Sequence, residues 1–219
     1  WLACLASLIS RDEDASGYSL SYEAGRHLAL WMAYEDIPRV AQLKVRPDRE
    51  DQIRTEVKAD AAQPMTVSEF FHPRVEEIAA LMPRRWGAVL LRSRTIRRLL
   101  GRVLGPRTLR TDRISMQVVF RCLAGLRRFR RSTLGYAHEH QMIDRWLQRV
   151  LTAEGQEKGR AMAKLGGMVK GYGDTRYRTT SRLMAILDYL DTTPDADAAM
   201  ITALHTAAMA PDSPFESVD

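Results

Sequence analysis

The residues best placed to do chemistry stand in one short stretch, Lys170-Gly171-Tyr172-Gly173-Asp174-Thr175-Arg176-Tyr177-Arg178-Thr179-Thr180-Ser181-Arg182. Glycine tolerates positive φ and close backbone approach, so a helix running from 157 to Lys170 is expected to stop at Gly171 and Gly173 in a left-handed cap. Asp174 or Thr175 is then expected to cap the next helix by accepting from its first free N–H groups. A helix N-terminus beside Lys170, Arg176, Arg178 and Arg182 makes a seat for an anion, with Tyr172 placed to pack on it. The same residues also make an ordinary turn between helices, with Arg176 paired to a carboxylate such as Asp188 or Glu35. Spacing alone leaves both readings open.

A second concentration of charge lies upstream. Between residues 84 and 131 there are fifteen arginines and one acid, Asp112, a local charge of +14 that leaves −8 for the rest of a chain whose total is +6. Such asymmetry points to an acidic partner, a phosphate-bearing ligand or an acidic neighbouring surface. Arg127, Arg128, Arg130 and Arg131 crowd the end of this run and are expected to be exposed. The belt has few interleaved aromatic residues and no recognition motif, so nucleic acid fits poorly.

The remaining candidates are weaker. Glu35 and Asp36, with Tyr34 and Arg39 around them, could serve acid–base work or hold a metal, but neighbours on a helix point about 100° apart and salt bridging suits them better. His138-Glu139-His140 lacks the second histidine four places after the first that a zinc protease helix needs, because Met142 stands there. Cys4 and Cys122 are the only cysteines, too few for a four-cysteine metal or iron–sulfur site and consistent with a reducing cytoplasm. There is no phosphate-cradling glycine loop, no nucleophile elbow, and no asparagine with which to complete a thiamine-diphosphate signature. No catalytic residue and no metal ligand is therefore assigned.

Helical periodicity dominates the elements that must carry these residues, and strand-like alternation is almost absent, so the expected class is all-α, an irregular bundle of about eight helices. One amphipathic helix is expected over 21–43, bent at Pro38. A charged helix follows Pro47, and Thr66-Val67-Ser68-Glu69 has capping-box spacing ahead of a helix that begins near Pro73. A helix over 84–103 should bury Trp86, Val89, Leu90, Ile96, Leu99 and Leu100, and another over 116–131 should end in the basic cluster. Trp31 and Trp146 are expected inside, and Gly159, Gly166 and Gly167 should let another helix come close. Residues 1–219 read as a single helical domain, with 59–65 and 104–115 as the places where a subdivision would fall. The chain opens on Trp1 and is expected to be part of a longer polypeptide. No apolar run approaches the length of a membrane-spanning helix.

Three blocks carry a resemblance. Tyr34-Glu35-Asp36-Ile37-Pro38-Arg39-Val40-Ala41-Gln42-Leu43-Lys44, Leu123-Ala124-Gly125-Leu126-Arg127-Arg128 and Lys170-Gly171-Tyr172-Gly173-Asp174-Thr175 follow one another in the order found in the C-terminal helical domain of the indolepyruvate ferredoxin oxidoreductase family, in its beta subunit and its long fused forms. The chain resembles that domain over nearly its whole length, departing from it at Pro38. The resemblance implies an enzyme that oxidises arylpyruvates to aryl-acyl-CoA and carbon dioxide, with thiamine diphosphate, iron–sulfur clusters and CoA handled on other domains. This chain would then be a non-catalytic accessory, recognising CoA phosphates or an acidic partner such as ferredoxin, or holding the catalytic domains and subunits together.

Overall fold

Apolar residues recurring every three or four positions place most of the chain in helices, and the computed structural model, which describes residues 2–12, 17–33, 37–71, 73–171 and 173–210, is all-α in character. Twelve α-helices stand among the described residues: α1 (Leu2–Ile9), α2 (Ser19–Ala33), α3 (Ile37–Lys44), α4 (Arg49–Glu56), α5 (Val75–Leu81), α6 (Arg84–Arg92), α7 (Arg94–Val103), α8 (Ile114–Gly125), α9 (Leu134–Thr152), α10 (Gln156–Leu165), α11 (Asp174–Thr192) and α12 (Ala198–Met209). Two short strands, β1 (Ser68–Phe71) and β2 (Arg107–Arg110), pair antiparallel with Ser68 opposite Arg110 and Phe71 opposite Arg107. No helix among the described residues is long and apolar enough to cross a membrane.

The helix count exceeds eight in part because two expected helices are each replaced by two α-helices, and a third ends in 3₁₀ turns. Ser93 has extended backbone, and its hydroxyl accepts from the Ile96 N–H at 3.4 Å, so the arginine-bearing segment ends at Arg92 and restarts at Arg94. In place of one helix bent at Pro38 there are α2 and α3, with Pro38 at the second position of α3, where its missing N–H costs nothing. The basic cluster is not the last turn of an α-helix: α8 stops at Gly125 and residues Leu126–Ser132 continue as 3₁₀. Of the capping box read at 66–69, Ser68 and Glu69 instead open strand β1, since Phe70 and Phe71 favour a pleated surface and Glu69 pairs with Lys44 and Arg49.

The chain forms two compact units, one of Trp1–Glu35 with His140–Asp219 and one of Asp36–Glu139, and both 59–65 and 104–115 lie inside the second. In the first unit the Trp31 and Trp146 rings meet with their centres 5.7 Å apart and their planes tilted by 42°, with Leu28, Met162, Leu165, Leu183, Ile186, Leu187, Leu190 and Ile201 buried around them. The Trp146 indole N–H donates to the Met162 carbonyl at 2.9 Å, so the buried ring leaves no polar atom unsatisfied. Small residues allow this closeness: a Cβ on Gly166 would stand 2.5 Å from the Trp146 ring, and one on Gly167 would stand 2.6 Å from His27.

The second unit is thinner inside. Val75, Ala79 and Leu90 form its core cluster, with Ile78, Met82, Leu91, Leu100 and Leu104 partly buried against them. Separately, α3 lies along α8, and Phe71 and Phe120 meet at 6.2 Å.

Candidate functional site

At the corner, the backbone behaves as the glycines require. Gly171 has φ +84° and a Cβ there would fall 2.5 Å from Thr175 Cγ2; Gly173 has φ +56° and ψ −123°, a conformation only glycine enters without strain. Helix α10 stops earlier than expected, at Leu165, followed by a 3₁₀ turn over Gly166–Met168 and extended Val169. The N-cap of α11 is Gly173, with no side-chain cap, so Asp174 is the first helical residue and not the cap; its charge at that position still favours the helix dipole. Tyr172 lies outside the described residues.

The cations of the corner do not converge. Arg176 and Arg182 are only 7% and 9% exposed, whereas Lys170 and Arg178 face solvent. Arg182 Nη1 donates to the Ala208 carbonyl at 2.8 Å, closing one of the free carbonyls at the C-terminal end of α12, where a cation also meets the negative end of the helix dipole. Thr179 closes the turn from the other side, its hydroxyl donating to the Lys170 carbonyl at 3.1 Å. Asp188, named above as a partner for Arg176, receives Arg145 at 2.6 Å instead. Near the corner His205 has its pKa lowered by burial first and then by Lys164 and Lys170, and His27 likewise by burial, opposed by Glu23.

The motif segment of α3 is built into the second unit. Tyr34, Glu35 and Asp36 lie outside the described residues. Arg39 Nη1 donates to the Gln42 side-chain carbonyl at 2.7 Å, and Arg127 reaches the same oxygen at 3.5 Å, so the α3 motif and the Leu-Ala-x-Leu-Arg-Arg block share a partner. Lys44 pairs with Glu69 and sits 5.7 and 5.8 Å from the centres of the Phe71 and Phe120 rings. Arg49 binds the other oxygen of Glu69 at 2.8 Å. Burial, then the nearby Arg49, pushes the Lys44 pKa down. Beside this knot is a cavity of about 270 Å³ lined by Lys44, Arg46, Arg49, Glu50, Thr111 and Gln117. Glu69 is the residue that sequence reasoning missed: the signal was a lone acid between strand-favouring residues, whose alternation gives an exposed–half-buried pattern along β1.

These cations are already answered by carboxylates, Lys44 and Arg49 by Glu69 and Arg46 by Asp48 at 2.6 Å, so the knot braces β1 to α3 and α4. The belt differs. Arg84, Arg85, Arg92, Arg94, Arg98, Arg102, Arg107, Arg113, Arg121, Arg127, Arg128 and Arg131 are exposed and form no ion pair with a described residue. Arg130 is half-buried, Arg97 pairs with Glu76 at 3.2 Å, and Arg110 holds Asp112 at 2.7 Å, keeping that carboxyl below its ordinary pKa. The second unit as a whole carries 22 Lys and Arg against 11 Asp and Glu, a net +11, leaving the first at −5.

The apolar stripe expected to be buried under this belt is largely outside. Leu90 is buried and Leu100 half-buried, but Trp86 is 68% exposed and Val89, Ile96 and Leu99 are exposed with it. The core of Val75, Ala79 and Leu90 is too small to cover both faces of α6 and α7. Among the described residues no group of three or more His, Cys, Asp or Glu is gathered as a metal site would require.

None of the curated proteins and none of the solved structures compared with the chain matches it. A family profile does match, over residues 1–189, which is most of the chain. The chain belongs to the family of unknown function DUF6537.

Proposed function

We propose that this chain is an accessory docking domain of a 2-oxoacid ferredoxin oxidoreductase of the indolepyruvate type, acting in the cytoplasm and supplying binding surface while other domains carry the chemistry. Thiamine diphosphate, iron–sulfur clusters and CoA belong to those domains in this reading. The observation that supports it is the belt: twelve exposed arginines without an acidic partner among the described residues, on a unit of net charge +11. Exposed charge held unpaired adds little to stability, so its value lies in what it meets, and long-range attraction speeds docking onto an acidic surface. Catalytic-domain surface and ferredoxin are the acidic partners this reading offers. Recognition of CoA phosphates at the corner has less support, because Arg176 and Arg182 are buried in the helix packing there.

Sedimentation of the purified chain with the catalytic domains of an indolepyruvate oxidoreductase tests the reading. Co-sedimentation that weakens with salt, together with a rise in indolepyruvate oxidation over the catalytic domains alone, is the expected result. The competing nucleic-acid reading predicts a different outcome: affinity for a random DNA duplex at physiological salt, with a steep log–log salt slope, and no association with the oxidoreductase domains.

A further inference from the structure

Helix α7 breaks a local rule of helix electrostatics. Its residues Arg94–Val103 hold four arginines and no acid, and its first turn carries no carboxylate. Cations near a helix N-terminus oppose the dipole, and like charges three or four residues apart repel one another along one face. Arg94, Arg97 and Arg98 do both. Arg97 and Arg98 follow Arg94 at steps of three and four, so the three share one side of the helix, opposite the exposed Ile96, Leu99 and Val103. That side meets a cavity of about 310 Å³ between α5 and α7, lined by Val75, Glu76, Arg94, Arg97 and Arg98. Val75, a member of the core cluster on which Leu100 packs, supplies the apolar part of the lining. Glu76 supplies the single carboxylate and pairs with Arg97 at 3.2 Å, whereas Arg94 and Arg98 are exposed without an acidic partner among the described residues.

From this geometry we infer that the α5–α7 cavity binds the phosphate monoester group of a soluble small molecule, with Arg94 and Arg98 on the phosphoryl oxygens and Arg97 shared between the ligand and Glu76. Charge selects the group. Three guanidinium groups less one carboxylate leave +2 in the lining, and a phosphate monoester carries about −1.5 to −2 near neutral pH, whereas a carboxylate or a phosphodiester carries a single charge. The planar guanidinium also matches phosphate oxygens two at a time. The cavity has the volume of a small-molecule site, at the lower end of the usual range of about 300–1,000 Å³. A dianion there relieves both the repulsion among the arginines and their conflict with the dipole, and local rules are broken in this way where a site needs them broken. The site goes beyond the docking reading and does not rest on it: a chain that fails to associate with oxidoreductase domains can still hold phosphate here.

Calorimetric titration of the full chain with pyrophosphate, at constant ionic strength, tests the inference against dimethyl phosphate, random duplex DNA and vesicles containing phosphatidic acid. Pyrophosphate should bind, and dimethyl phosphate should bind at least tenfold more weakly. Arg94→Gln with Arg98→Gln should weaken pyrophosphate about tenfold or more, the worth of a hydrogen bond to a charged group, while raising the melting temperature of the free chain because the repulsion is gone. Glu76→Gln should tighten pyrophosphate about twofold to fivefold, since it frees Arg97 from an exposed ion pair; a gain of this kind cannot come from misfolding. Arg128→Gln with Arg131→Gln, on the same basic belt but away from the cavity lining, should leave the affinity unchanged. Equal losses from the two double substitutions would assign the binding to the belt as a whole and overturn the inference. So would unchanged affinity in Arg94→Gln with Arg98→Gln, or a preference of those arginines for DNA or for the vesicles over pyrophosphate.

Discussion

The two units use similar raw material in opposite ways. The first gathers a large buried cluster around a tryptophan pair at 5.7 Å, although Leu2, Tyr22, Leu30 and Tyr177 stay exposed, and carries a net charge of −5; the second has a core cluster of three residues, leaves Trp86, Val89, Leu99, Ile114, Val118 and Phe129 exposed, and carries +11. In the first, glycines admit close packing and arginine closes a helix end. In the second, three residues form the core cluster and arginines stand unanswered on the surface. The contrast teaches that an amphipathic pattern specifies a face to be covered without specifying what covers it. One unit buries most of its helical stripes against one another; the other leaves much of α6 and α7 outside.

The largest effects should separate the tryptophans. Trp146→Ala empties a fully buried site and removes the donor to Met162, so it should cost about 3–5 kcal/mol, whereas Trp86→Ala should change stability by no more than about 0.5 kcal/mol. Urea titrations followed by far-UV circular dichroism measure both; comparable losses would break the distinction between a core indole and a surface one.

Within the first unit, the arginines of the corner sharpen it further. Arg182→Met removes a charge-assisted hydrogen bond to Ala208 and should cost about 1.5–3 kcal/mol, while Arg178→Met, at an exposed position four residues earlier, should be nearly silent. If Arg178→Met proved the more damaging of the two, the bond to Ala208 would not be what holds the end of α12.

The smallest expected effect is a pH dependence. Because burial, Lys164 and Lys170 lower the His205 pKa, the unfolded chain binds the proton more readily than the folded one over the interval below the ordinary value of 6.5. The stabilisation is therefore present above pH 6.5 and is lost as the pH falls through the depressed folded value. His205→Gln should flatten melting temperature against pH over this interval; an unaltered slope would show that burial in the folded chain does not depress the His205 pKa.

Much of this organisation was legible in the residues. The interior places of Trp31 and Trp146, the close approach at Gly166 and Gly167 and the helical class all follow from periodicity and side-chain size, local properties that survive in any helical packing. The positive φ at Gly171 was readable for the same reason. Glu69 was not, because its role depends on strand pairing and on Lys44 and Arg49 arriving from residues about two dozen positions away.

What the sequence determined by itself, then, was the helical class, the glycine-broken corner and the unequal distribution of charge, since each is fixed by residue types and by neighbours within a few residues. Only the tertiary structure decided which arginines are architecture and which are surface. Arg182 and Arg178 lie on one short helical segment, yet one closes the end of α12 and the other faces water. It also decided that the stripe of Trp86 and Leu99 stays outside, because the burial of an amphipathic helix depends on how much apolar surface the rest of its unit can lay against it, and the cluster of Val75, Ala79 and Leu90 supplies too little.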